Sequence, residues 1–259
     1  MKYCISGRQP LSTLKEADEI KMKYEDRERA IDYIQAFPEK TIIITIPKDV
    51  EDIEWKLLDA YNESCTLVLC LENLNHVNEC NAHNVKFYWA YPITSYYELR
   101  GILKLNPYYI FLGAPLCFDL ETVQSITGVY IRLVANVAYD AYIPREDGIC
   151  GQWIRPEDVK YYEPYVNALE FNGVDLAAER TLLHVYKDNQ NWPGNLNLLL
   201  KNLNYNIDNR ALPDEIGPIR IRCGQRCMRN GACHYCHSAF KFADALRKKH
   251  YELKAEDNN

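Results

Sequence analysis

Cys223, Cys227, Cys233 and Cys236 crowd into the run CGQRCMRNGACHYC, four of the ten cysteines of a 259-residue chain. Their spacing, C-x3-C-x5-C-x2-C, suits metal ligation: a C-x2-C pair lets two sulfurs reach one ion from a tight turn. Four thiolates complete a tetrahedral Zn2+ shell and equally hold a 4Fe–4S cluster. Gly224 and Gly231 give the loop the backbone freedom such a turn needs. Free cysteine is ordinarily buried, but the neighbouring GQR, RNGA and HY stretches are too polar for a core. The loop 223–236 is therefore expected to bind metal, as Zn2+ or alternatively as a 4Fe–4S cluster, and His234 or His237 can replace one thiolate.

Arg220, Arg222, Arg226 and Arg229 surround these cysteines. Their charge offsets a four-thiolate metal dianion and depresses thiol pKa values. Arg222 and Arg226 are assigned to an anionic ligand group, a phosphate or carboxylate, whereas Arg247–Lys249 read as a solvated helix end.

Further candidates stand where β-rich runs end. Glu170 and Asp140 can serve as general acid or base, and Cys150, set between Gly148 and Gly151, lies in a loop-like stretch. Glu72, Asn136, Asn172 and Cys117 occupy comparable positions. Each carboxylate has an alternative as the ion-pair partner of an arginine such as Arg132. His76, His83 and His184 fall on helical stretches and read as packing or surface residues. A Ser-His-Asp order, an H-E-x-x-H helix, a P-loop and the C-x3-C-x2-C spacing of radical chemistry are all missing.

The elements that must position these residues alternate along the chain. Apolar, β-branched runs fall at Lys2–Ser6, Thr41–Ile46, Cys65–Leu71, Val85–Tyr91, Tyr108–Gly113, Val129–Val134, Ala168–Phe171 and Ile219–Arg222. Several are continuous rather than alternating, as for strands covered on both faces. Helical stripes lie between them: Arg27–Phe37, Asp52–Tyr61, a helix capped at Thr94 or Ser95 with Glu98 near the capping-box position, and Leu120–Ile126 behind Asp119. Others begin at Pro156 and span Asp175–Lys187, Gly194–Leu203 and Ser238–Leu253. Eight strand–helix units in about 250 residues predict a (β/α)8 TIM-type barrel, with an open doubly wound α/β sheet as the alternative. Residues 1–259 are expected to form one domain, with insertions at about 135–155 and 188–218. On this threading the cysteine loop follows strand eight, at the C-terminal rim where barrel active sites form.

Composition bounds the rest. The net charge of −6 disfavours broad nucleic-acid binding, leaving an anionic small molecule or a nucleic-acid component as the expected partner. No run of 18 apolar residues predicts a membrane span. The polar start predicts a cytoplasmic, reducing setting in which the cysteines are thiols or metal ligands, and nothing in the sequence sets an oligomeric state.

A barrel carrying CGQRCMRNGACHYC at its rim resembles the collagenase-like peptidase family. That resemblance implies an iron–sulfur cluster and hydroxylation of RNA bases or quinone precursors, and it carries over no catalytic residue. Two functions stay open: a metal-containing barrel enzyme acting on an anionic or nucleotide-like substrate at the rim, and a non-catalytic binding or structural protein whose zinc staples the last loop and helix.

Overall fold

A computed structural model describes residues 1–113, 116, 120–134, 136–137, 152–171, 175–188, 209–214, 238–239, 241–246 and 248. Chain contacts gather these residues into two units, and the first carries a nearly closed parallel barrel. Its strands are β1 (Lys2–Ser6), β2 (Glu19–Lys23), β3 (Thr41–Ile46), β4 (Thr66–Leu71), β5 (Lys86–Trp89), β6 (Tyr109–Phe111), β7 (Tyr130–Val134) and, after two short strands, β10 (Ala168–Glu170). Their spatial order is β5-β4-β3-β2-β1-β10-β7-β6. The edges meet where the Tyr108 N–H donates to the Phe87 carbonyl at 2.8 Å and Ile93 bridges Leu112. Strands therefore follow one another around the ring in chain order, the (β/α)8 arrangement expected from the sequence.

Helices alternate with the strands: α1 (Leu11–Leu14), α2 (Ala30–Ala36), α3 (Trp55–Ser64), α4 (Val77–Ala82), α5 (Tyr96–Leu103), α6 (Leu120–Ser125) and α7 (Leu176–Lys187). The start of α5 forms as its sequence dictates. Ser95 Oγ accepts from the Glu98 N–H at 3.2 Å, and Glu98 Oε2 accepts from the Ser95 N–H at 3.1 Å, a full capping box. Asp175 caps α7 by accepting from the Ala178 N–H at 2.8 Å. The turns leading into β5, β6 and β7 each contain a left-handed residue, Asn84 (φ 53°), Asn106 (φ 54°) and Gly128 (φ 78°). Arg27–Phe37 divides into a 3-10 segment at Tyr24–Arg29 followed by α2, and the stretch after Pro156 is 3-10 over Pro156–Tyr161.

The alternation of residues along each strand makes two cores. Ile20 of β2, the three isoleucines Ile42, Ile44 and Ile46 of β3, and Leu67, Leu69 and Leu71 of β4 are fully buried outside the strands. An added Cβ at Gly7 would meet Ile20 and Tyr33 at 3.4 Å, so β1 and β2 approach α2 closely there. The intervening residues point into the lumen.

The barrel strand Glu19–Lys23 is one that the sequence pattern did not mark. With β2 counted, the eight barrel places are filled by Glu170, and every later expectation moves by one unit. Glu170 ends the eighth strand of the ring rather than the seventh. The Ile219–Arg222 run lies outside the described residues, as do Gly194–Leu203 and the loop 223–236.

In the second unit, β8 (Asn136–Val137) pairs antiparallel with β9 (Gln152–Trp153). Arg155 follows β9 and is almost wholly buried. Its guanidinium forks onto Asp158, with Nε to Oδ2 at 2.7 Å and Nη2 to Oδ1 at 3.0 Å, which fixes the 3-10 turn that Pro156 opens. Phe171 and Tyr186 meet edge to face at 5.0 Å, and the Tyr186 hydroxyl donates to the Ile154 carbonyl.

Candidate functional site

The barrel lumen holds charged and polar side chains beside apolar ones such as Ile43 and Val68, which share the register of Lys21. Lumens of this fold are usually filled by layers of branched apolar side chains. Here β2 directs Glu19 and Lys21 inward, β7 directs Arg132, β10 directs Glu170, and β5 and β6 direct Tyr88 and Tyr109. The EIKMK sequence of β2 explains its own contribution: strict alternation puts Ile20 and Met22 on the buried outer face and the charges on the other.

These side chains form one chain of contacts across the lumen. The Tyr109 hydroxyl donates to Glu19 Oε1 from the diametrically opposite strand. Glu19 Oε2 accepts from Arg132 Nη2, and Arg132 Nη1 donates to Glu170 Oε2 at 2.9 Å. Glu170 then meets Lys21 Nζ, with Oε1 at 3.2 Å and Oε2 at 3.5 Å. Glu19 and Arg132 are fully buried and the Glu170 side chain is 9% exposed, whereas the Lys21 side chain is 28% exposed. The network thus climbs from the first residues of β2 and β6 to the last residue of β10, and its open end is the lysine near the C-terminal mouth. Arg132 also covers the rings of Tyr109 and Tyr88, its Cζ lying 4.8 and 5.3 Å from their centroids.

Protonation follows from this packing. Burial alone pushes the Glu170 carboxyl up, but the Lys21 ammonium and the Arg132 guanidinium outweigh it and hold the carboxyl below its usual value. Burial pulls Lys21 down, and Glu170 above all reverses this, leaving the ammonium held well above the ordinary lysine value. Burial raises the Tyr88 phenol, and burial together with Glu19 raises that of Tyr109, so both are neutral donors. Cys4, also on the lumen side, has its thiol pushed up to about 12 by burial, which makes it a poor nucleophile.

Two buried polar atoms of this network are without a hydrogen-bond partner: Tyr88 Oη and Arg132 Nε. Natural interiors seldom leave such groups unmatched. Lys21 adds the unspent N–H capacity of its ammonium, which carries three donors and meets one carboxylate.

Of the residues singled out by sequence, Glu170 stands in this network, and its alternative reading as an ion-pair partner of Arg132 is what forms. Glu72 is half-buried after β4, with its N–H donating to the Ile46 carbonyl at 3.1 Å. Asn136 belongs to β8. His83 stacks on Trp55 at 4.4 Å and meets Asp59 at 2.9 Å, outside the lumen, and His184 is exposed on α7. Asp140, Cys150, Cys117, Asn172, Arg222, Arg226 and the cysteines 223, 227, 233 and 236 lie outside the described residues. Among the described residues, no group of three or more His, Cys, Asp or Glu side chains is placed to hold a metal ion. No described helix is long and apolar enough to cross a membrane.

Sequence reasoning missed Lys21, Glu19, Tyr88 and Tyr109. Two signals were present: the alternation of EIKMK, and the lone arginine inside the apolar run VYIRLV. No protein-family model matches the chain, and no curated protein matches it either.

Proposed function

We propose that this barrel is an enzyme acting on a small, anionic or nucleotide-like substrate, received at the C-terminal mouth by the Lys21 ammonium. The observation that carries the reading is the lumen network that ends in the part-exposed Lys21–Glu170 pair. A buried ion-pair network of this kind is no better for stability than well-packed apolar residues of the same volume. Its presence in place of an apolar layer therefore speaks for a ligand. Glu170 orients Lys21, Arg132 orients Glu170, and Glu19 with Tyr109 anchors Arg132 from below.

The same proposal includes the late cysteine loop, on the support of its spacing alone. Cys223, Cys227, Cys233 and Cys236 would hold Zn2+, or a 4Fe–4S cluster, and Arg222 and Arg226 would bind an anionic group at that loop. Iron with sulfide there would favour the hydroxylating chemistry implied by the resemblance to collagenase-like peptidases.

One observation favours a second, non-catalytic reading. Lys21 and Glu170 hold each other in their charged forms, which suits binding better than proton transfer. The test of either is a thermal-shift screen of small carboxylates and phosphates at constant ionic strength, on the wild type and Lys21→Met. Saturable stabilisation by anions that Lys21→Met abolishes is the expected result. Anion responses that are identical in the two proteins refute a ligand site at Lys21.

A further inference from the structure

We infer that the ligand group entering the lumen is a carboxylate, a singly charged oxygen acceptor, bound jointly by Lys21 Nζ and the Tyr88 hydroxyl. The inference rests on the mouth being a ligand site and adds what that site accepts.

Hydrogen-bond capacity sets the polarity of the group. Every acceptor of the network is engaged: Glu19 by Arg132 and Tyr109, Glu170 by Arg132 and Lys21. The cationic groups with unspent capacity can only donate, namely the Arg132 Nε–H and the remaining N–H bonds of Lys21, and the Tyr88 hydroxyl, which can donate or accept, is unmatched as well. Tyr88 is wholly buried, its neutral phenol lies within the fields of Lys21, Arg132 and Glu170, and its hydroxyl has nothing to donate to. A group that completes this set must bring acceptors, because neither the guanidinium nor the ammonium can accept.

Charge sets the class. Two carboxylates, Glu19 and Glu170, already face Lys21 and Arg132, with the half-exposed Lys2 3.9 Å from Glu19, so at most one positive charge is in excess before anything binds. A second negative charge on the ligand is therefore uncompensated, and the cost of transferring a charge out of water grows with the square of that charge. A phosphate dianion meets roughly four times the penalty of a carboxylate on this scaling. A carboxylate also has two oxygens, one for the part-exposed ammonium and one for the buried phenol.

The test follows the Lys21 ammonium by 15Nζ-lysine NMR, assigned with Lys21→Met, while sodium acetate or inorganic phosphate is titrated into the full chain at fixed ionic strength. Acetate is expected to move the Lys21 signal saturably and to bind at least about tenfold more tightly than phosphate. Tyr88→Phe should weaken acetate by about tenfold or more, the effect of losing one hydrogen bond to a charged group. The same variant should melt no lower than the wild type, because the hydroxyl it removes has no partner in the unliganded protein. Equal binding of the two anions, unchanged acetate binding in Tyr88→Phe, or a lowered melting temperature for that variant overturns the inference while leaving Lys21 a ligand site. A Lys21 signal that responds to neither anion removes the mouth site itself.

Discussion

Arg132→Met puts the lumen network to its severest test. The guanidinium is completely buried and pairs with two carboxylates, Glu19 and Glu170, themselves almost without exposure. Methionine has a similar reach and leaves little void, so packing loss contributes little and the charge deficit dominates. Glu170 keeps Lys21 at 3.2 Å, but Glu19 keeps only the Tyr109 hydroxyl and Lys2, 3.9 Å away and half exposed. Removing one partner of a buried pair costs about 3–5 kcal/mol, a large part of a domain stability of about 5–15 kcal/mol. At roughly 2–4 °C per kcal/mol for a chain of this size, melting falls by roughly 6–20 °C. Urea unfolding read by tryptophan fluorescence measures it, and a cycle with Glu19→Gln isolates the pair. The double variant should recover at least about 1 kcal/mol relative to the sum of the single losses.

The pH dependence has a fixed sign. Glu170 is held below the ordinary carboxylate value of 4.5 in the folded wild type, so its contribution is present above that value and fades as pH falls through the lower, folded one. In Arg132→Met one of the two cations opposing burial is gone, and the wild-type advantage should be greatest at neutral pH and shrink under acid. A loss below about 1 kcal/mol, or single losses that simply add, would refute the claim that Arg132 neutralises two buried acids.

Other predictions concern the surface and the cysteine loop. Ser95→Ala opens the capping box of α5 and should cost about 1 kcal/mol in chemical denaturation with no change in anion response, since the cap lies outside the lumen. Cys233→Ser should lose metal and melting temperature together. Elemental analysis and an absorption spectrum of protein purified without oxygen check this: one zinc per chain without colour, or iron with sulfide and a band near ~400 nm, and a variant unchanged in both metal and stability would sink the assignment.

The barrel was legible because seven of its strands fall in β-rich runs of the sequence, several of them continuous and apolar, as Thr41–Ile46 and Thr66–Leu71 show. The eighth was not. In EIKMK every second residue is charged, which ordinarily marks a face turned to water. Here that face looks into a lumen supplied with opposite charges by residues more than a hundred positions away, and no local pattern reveals them. Glu170 was legible as a carboxylate at a strand end, and Arg132 as its partner. Lys21 and Tyr88 were not, because inward orientation depends on strand register, which is settled only when the ring is assembled. The 3-10 geometry at Tyr24–Arg29 and Pro156–Tyr161 was missed since both stretches have helix-favouring sequences in segments too short to reward full helical turns.

The hydrogen bond from Tyr109 to Glu19 also constrains how the chain reaches its native state. It joins residues 90 positions apart, the Arg132–Glu19 pair joins residues 113 apart, and Lys21–Glu170 spans 149. A half-barrel of β1–β4 therefore holds Glu19 and Lys21 with none of these partners, and both must keep their water until the second half arrives. Dehydration of the lumen is thus deferred to ring closure, so the last folding step is the one that resolves the charges. Such non-local closure makes assembly slow. Isolated fragments ending before β6 should remain open and hydrated.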